Sequence, residues 1–416
     1  MADTFTLLFL VAVASSACLR LWLARRQLSH VLARRTQVPE GFSARISLAA
    51  HQKAADYTAA KIRFGLVGMA VETLLLLGFT LGGGLATLAA FWQAAFPGMI
   101  GGLALIFSVM VISGLVDLPL AWWRQFVLEQ RFGFNRMTPG LFVADLAKSA
   151  ALGATIGTPV ILAVLWLMAA MGERWWLHVW AFWCAFNLFI LFVYPKWIAP
   201  LFNKFEALPE GEVRQRVEAL LERCGFHSGG LFVMDGSKRS AHGNAYFTGF
   251  GRTKRIVFFD TLLQRLQPAE VEAVLAHELG HFHHRHVIKR IITMFALSLA
   301  FLALLGQLID APWFYTGLGV PEALQGTATA LVLFFLVVPP FVFPLTPLGS
   351  MLSRRHEFEA DRYAAMHARG EDLIQALVKL YEDNAATLTP DPLHSLFYDS
   401  HPPAALRIAR LRAAAS

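Results

Sequence analysis

Seven apolar stretches, each near the 20 residues that a helix needs to cross the hydrocarbon core of a bilayer, alternate with polar ones along this chain. They cover residues 5–23, 66–91, 99–122, 151–171, 176–194, 291–309 and 328–348. This pattern predicts a membrane region over 1–194 with five spans and polar loops at 24–63 and 123–150, a polar segment at 195–290, two more spans within 291–350, and a polar tail over 351–416. Basic residues then orient the spans. Loops 24–63 and 123–150 hold eight and four Lys or Arg, whereas the alternate loops 93–98, 172–175 and 310–327 hold only Arg174. By the positive-inside rule the basic loops face the cytoplasm, and so do the polar segment and the tail. Asp3 is the one charged side chain ahead of the first span, with Arg20, Arg25 and Arg26 behind it, so this span reads as an uncleaved anchor and not as a signal peptide.

Within the polar segment the period changes. Residues 211–224 place Val213, Val217, Leu220 and Leu221 on one helical face. Residues 231–234 read as a short strand, and 244–249 with 255–259 read as a hairpin around Gly251, Arg252 and Thr253. Asp260 caps a short helix, and Pro268 opens another that meets no breaker before the sixth span.

Composition agrees with a multi-pass membrane protein: 56% of the 416 residues are hydrophobic and 16% charged, and the mean hydropathy is +0.51. The net charge of +7 is mainly the topology signal just described and a contact with anionic lipid, not a nucleic-acid footprint. Cys18, Cys184 and Cys224 have no C-x-x-C spacing, which excludes a disulfide framework and a thiolate zinc site.

The candidate chemistry lies in the helix opened by Pro268, where residues 277–281 read His-Glu-Leu-Gly-His. On a helix His277 and His281 sit one turn apart on one face, so both imidazoles can bind one Zn²⁺, with Glu278 beside them as a base for water. His281 stands about 10 Å along the axis from the lipid-facing residues, which puts the metal just outside the membrane. A catalytic zinc needs a third protein ligand. The run 354–361 follows the seventh span directly and offers Glu357 as that ligand, with Asp361 one turn on to accept a histidine N–H. His283, His284 and His286 read as interfacial polar residues at the mouth of a span and not as ligands.

Two other functions fit parts of this pattern. A metal transporter or channel with a His-rich cytoplasmic segment would draw on Glu72 and Asp117, which lie in or at the end of spans. However, transport sites cluster near the bilayer midplane, and the His and Glu residues above lie outside it. An intramembrane protease would need apolar flanks around the motif, where Glu270, Glu272 and Arg285 stand instead.

With these residues in hand, the chain resembles the type I CAAX prenyl protease family, integral membrane zinc metallopeptidases of the gluzincin type. The resemblance runs through Val38-Pro39-Glu40, Gly133-Phe134-Asn135, Asn203-Lys204-Phe205, Asn244-Ala245-Tyr246-Phe247, the His277–His281 motif, Glu357-Phe358-Glu359-Ala360-Asp361 and His401-Pro402-Pro403. It implies an all-α polytopic protein whose seven transmembrane helices enclose a chamber, closed at the cytoplasmic end by a small α+β zinc-metallopeptidase domain. It also implies one Zn²⁺ per chain on His277, His281 and Glu357, and Glu278 as general base. His401 would stabilise the oxyanion, Arg407 would brace Glu357 or Asp361, and Asn244 would lie on a strand edge that pairs with an extended substrate. The partners implied are a peptide or protein substrate, lipid-modified or not, and membrane lipids. The Ala, Leu and Arg bias reads as bacterial, hence a bacterial inner membrane with the active site on the cytoplasmic side. Because prenylated substrates are eukaryotic, peptide-bond cleavage carries over, while the natural substrate stays open between C-terminal peptides and damaged membrane proteins.

Overall fold

The computed structural model describes residues 1–248 and 254–415. Seven of its helices or continuous helical segments are long and apolar enough to cross a membrane. They include α1 (Ala2–Ala33), α2 (Leu48–Phe79), α4 (Met99–Trp123) with a π-helical extension Arg124–Glu129, α5 (Pro139–Ala170) and α6 (Trp175–Val193). A 12-residue helix, α3 (Gly84–Ala95), separates α2 from α4. The second span therefore lies well before the expected 66–91. Its apolar run continues past the end of the helix, and the break comes from Gly82-Gly83-Gly84, which hydropathy does not register. Gly83 has φ +74°, and a Cβ on Gly82 or Gly84 would lie 2.8 Å from the Gly78 carbonyl oxygen, so this corner admits only glycine.

The expected loops are also shorter than their polar residues suggested. At 32 residues, α1 and α2 are each about 48 Å long against a hydrocarbon core of about 30 Å. The basic residues of 24–63 thus sit largely on helix ends that project beyond the lipid. Ser47 caps α2 by accepting the Ala50 N–H, and Thr138 caps α5 by accepting the Leu141 N–H. Arg26 on the projecting end of α1 reaches the buried Asp391 at 2.9 Å, which ties this span to the C-terminal part.

The polar segment and the tail build one body. Strands β1 (Phe205–Ala207), β2 (Leu231–Met234), β3 (Ala245–Thr248) and β4 (Arg255–Phe259) form a sheet of order β1-β2-β4-β3. β2 runs parallel to β4, while β1 and β3 pair antiparallel with their neighbours, so β3 is an edge. The turn expected at Gly251, Arg252 and Thr253 lies outside the described residues. Between β1 and β2 runs the amphipathic helix α7 (Glu212–Arg223). After β4 comes α8 (Asp260–Arg265), which Asp260 opens from inside by accepting the Thr261 and Ser237 N–H groups. The core of the body joins Phe42 and Ile46 of the first loop to Leu220, Phe258, Leu275 and Ile374. The polar pieces pack together because each carries one apolar face and none can cover its own.

Helix α9 (Pro268–His283) stops short of the sixth span, α10 (His286–Leu308). The uninterrupted helix expected here is broken at Arg285, which adopts φ 56° and starts α10 in a new direction. A left-handed arginine is a strained choice that composition does not announce. Beyond the short α11 (Pro312–Thr316), the last span α12 (Thr327–Val342) carries Pro339 and Pro340, passes through a 3₁₀ turn at Phe343–Leu345 and continues as α13 (Thr346–His367). The tail closes with α14 (Gly370–Asp383), α15 (Pro392–Tyr398) and α16 (Ala404–Ala415).

α9 and α13 approach closely at Gly280, where an added Cβ would lie 2.8 Å from the Ala360 Cα and 3.0 Å from the Tyr363 Cβ. Both obstacles belong to a buried helix and cannot give way cheaply. Gly280→Val should therefore destabilise the protein by about 1–3 kcal/mol and lower its metal content. Thermal unfolding and metal analysis of purified protein check this, and native stability with full metal would contradict it.

Candidate active site

α9 is set firmly before it reaches the histidines. Glu270 accepts the Gln267 N–H at 2.7 Å while the Gln267 side chain takes the Glu270 N–H, a capping box in which Glu270 also holds Lys379. Three turns on, His277 and His281 share a face, with their Nε2 atoms 3.3 Å apart. α13 brings Glu357 across: its carboxylate oxygens lie 3.5 Å from His277 Nε2 and 3.3 Å from His281 Nε2. Ligands bonded to one zinc at about 2.1 Å in a tetrahedron lie roughly 3.4 Å apart, so the three donors are spaced for a single ion. Glu357 is 4% exposed, and among the described residues its buried Oε2 has no hydrogen-bond partner, with the Arg407 guanidinium standing off at 3.6 Å. A buried carboxylate oxygen left without a partner costs free energy unless a cation satisfies it. The donor set and this oxygen both fit a zinc ion.

Charge behind the donors is organised by Arg407 and Asp361, both less than a tenth exposed. Arg407 donates to both Asp361 oxygens and lies 3.6 Å from Glu357, while Asp361 lies 2.9 Å from His277 Nδ1. With Nε2 facing the other donors, Nδ1 carries the His277 proton and gives it to Asp361. Burial opposes charge on His277 and Arg407 opposes it further, yet hydrogen bonds to Asp361 and Glu357 raise its pKa to about 9.

Glu278 points the other way. It lines a cavity of about 1330 Å³ that extends from His281, Glu357 and His401 between the spans to residues such as Val160, Trp183, Leu297 and Phe335. Among the described residues no hydrogen bond or ion pair engages the Glu278 carboxylate. His401, largely exposed, has Nε2 3.4 Å from Glu357 and Nδ1 3.0 Å from the Ser400 hydroxyl. Asn244 is exposed just ahead of edge strand β3, with its side-chain oxygen folded back onto the Ala245 N–H.

Three residues that sequence reasoning set aside or did not consider join this neighbourhood. His286, expected at the interface, is buried: its Nδ1 lies 3.0 Å from His281 Nδ1 and its Nε2 lies 2.9 Å from Glu359. His356 stacks on His286 with ring centroids 3.9 Å apart. The His-x-x-Glu spacing of 356–359 was the available signal, but its partner depends on the break at Arg285. His283 instead packs on Tyr363. Glu72 pairs with Arg20 at 3.7 Å, and neither it nor Asp117 lines the large cavity.

The two halves of the chain match two family models, the N-terminal one of CAAX prenyl proteases with five membrane helices over residues 27–204 and peptidase family M48 over residues 207–415. The chain belongs to peptidase family M48. CAAX prenyl protease 1 of Saccharomyces cerevisiae is 36% identical over 72% of this chain and 69% of its own length. Its Homo sapiens homologue is 32% identical over 74% and 73%, and that of Dictyostelium discoideum 31% over 90% and 89%. The crystal structure of Saccharomyces mikatae Ste24p superposes with TM-score 0.90 at 29% identity, covering 98% of this chain and 99% of that one. This M48 protein is thus a multi-pass integral membrane metalloendopeptidase acting on peptide or protein substrates, with a small sheet-containing domain set against seven membrane helices around a chamber. The transporter alternative gains no support from these relatives.

Two outcomes follow for the M48 site. Removing the Arg407 cation leaves Asp361 and Glu357 buried without their counter-ion, so Arg407→Met should cost about 3–5 kcal/mol and weaken metal binding, as denaturation and metal titration will show. The raised pKa of His277 favours its protonated form at neutral pH, and a metal that binds its imidazole must displace that proton. Apparent affinity should therefore rise as pH approaches 9, with about one proton released from this residue per ion bound. Calorimetry in buffers of different ionisation enthalpy measures the release, and a pH-independent affinity would contradict it.

Proposed function

We propose that His277, His281 and Glu357 hold one zinc ion per chain and that Glu278 is the general base of peptide-bond hydrolysis. The observation that carries this is the convergence of three donors from two helices beside one unengaged carboxylate on the wall of the cavity. Bound there, zinc supplies Lewis acidity toward water and toward a scissile carbonyl. Glu278 accepts the proton of the attacking water and passes it to the leaving amine as the carbon–nitrogen bond breaks. His401, exposed on the same side, donates to the carbonyl oxygen as negative charge develops. Asp361 and Arg407 keep His277 and Glu357 in position from behind.

The substrate follows from the surroundings of the site. β3 is an unpaired edge, so an extended peptide can add to it, with Asn244 at the start of that edge. The apolar cavity wall between the spans suits a lipid chain or an apolar C-terminal segment, and we assign lipid-modified or apolar C-terminal peptides as the substrate class. Annular membrane lipids are the other partners. The distribution of basic residues supports a cytoplasmic active site, and the composition supports a bacterial inner membrane.

Purified wild type, Glu278→Ala, Glu357→Ala and His401→Ala should separate these roles on a fluorogenic peptide. Glu278→Ala is expected to keep zinc and lose turnover, Glu357→Ala to lose zinc affinity, and His401→Ala to keep zinc while kcat falls about 10²–10³-fold. Turnover surviving in Glu278→Ala, or full zinc affinity in Glu357→Ala, would refute the assignment. A lipid-free analogue cleaved as well as a lipidated peptide would remove the lipid from the substrate class.

A further inference from the structure

We propose that His286, His356 and Glu359 form a second divalent-metal site, suited to zinc-class cations, whose occupation inhibits the peptidase. The three donors gather beside the first site, two from α13 and one from the start of α10. There, two ligands come from one turn of α9 and the third from α13. Here His356 and Glu359 lie three residues apart on one face of α13, and His286 comes from the start of α10. His286 Nε2 and Glu359 Oε2 are already 2.9 Å apart, close to the spacing of neighbouring ligands on one ion, about 3 Å. Two imidazoles and one carboxylate favour zinc, cobalt or nickel over magnesium or calcium. His286 and His356 line the large cavity, so an ion reaches them from solution.

His356 has to move to complete the site. Its ring lies nearly parallel to that of His286, at 15°, so their lone pairs run side by side and do not converge. Among the described residues no hydrogen bond holds the His356 imidazole, and turning it sacrifices only the stacking contact.

Inhibition follows from where the protons sit. With His281 Nε2 committed to the first site, its Nδ1–H donates to His286 Nδ1, and His286 keeps its own proton on Nε2 for Glu359. A second ion on His286 Nε2 drives that proton to Nδ1, where it meets the His281 N–H head-on across 3.0 Å. The contact must open, and His281 loses the hydrogen bond that orients it. Loss of such outer support typically weakens a metal site 10–100-fold. The two sites are therefore antagonistic, and inhibition by the second rests on the first holding zinc as proposed above.

Equilibrium dialysis against rising free Zn²⁺ counts ions per chain, and cleavage of the fluorogenic peptide is followed over the same range, each protein normalised to its own rate without added metal. Wild type should bind a second equivalent at higher free zinc while activity falls. His356→Ala and Glu359→Gln should retain the tight equivalent, lose or shift the second at least tenfold, and tolerate about tenfold more zinc. Glu357→Ala should weaken the tight equivalent and keep the second. The proposal is overturned if wild type saturates at one equivalent, if both variants keep the wild-type second binding and inhibition, or if activity rises as the second site fills. Tight binding unaffected in Glu357→Ala counts instead against the first site, and with it the inhibition argued here.

Discussion

The close crossing of α9 and α13 at Gly280 and Ala360 is the constraint on which the rest of the site depends. Metal ligands must lie within roughly 3–4 Å of one another to share an ion, whereas helices separated by ordinary side chains hold their axes 8–10 Å apart. With hydrogen at position 280 the Glu357 carboxylate reaches both imidazoles. The Leu279-Gly280 pair inside the motif is therefore a packing requirement as much as the histidines are a chemical one. Leu279 fills the core of the polar body and Gly280 admits the partner helix.

That crossing buries charge, and the chain compensates with geometry. Arg407 arrives from α16, the last helix, and engages Asp361 through two donors while facing Glu357. One guanidinium thus serves two carboxylates, and Asp361 passes the effect to His277. Such a network is expensive to bury and more expensive to leave half-made. The C-terminal helix is consequently part of the site through Arg407.

The membrane helices do more than anchor this domain. Because α1 and α2 outrun the bilayer, the end of α1 joins the polar body directly through Arg26 on Asp391, while Arg35 on Asp56 ties the first loop to α2. The cavity runs from His281, Glu357 and His401 into the span region, so one continuous space has a polar end and an apolar one.

Much of this architecture was legible in the residues themselves. Span number followed from apolar run length, and the His-Glu-Leu-Gly-His motif and Glu357 with Asp361 followed from helical spacing. Each is a local property, because a helix is built from contacts within four residues. Legibility failed where hydropathy and backbone disagree: Gly82-Gly83-Gly84 ends a span inside an apolar run, and Arg285 breaks a helix at a point where neither proline nor glycine stands. The chain alone thus determined how many spans there are and which residues are candidates for metal chemistry, since period and composition encode both. Only the tertiary structure decided that α9, α10, α13 and α16 meet at one point and that His286, His356 and Glu359 assemble there. Side chains distant in sequence are brought within hydrogen-bond reach by packing across the Gly280 crossing, and no local pattern carries that information.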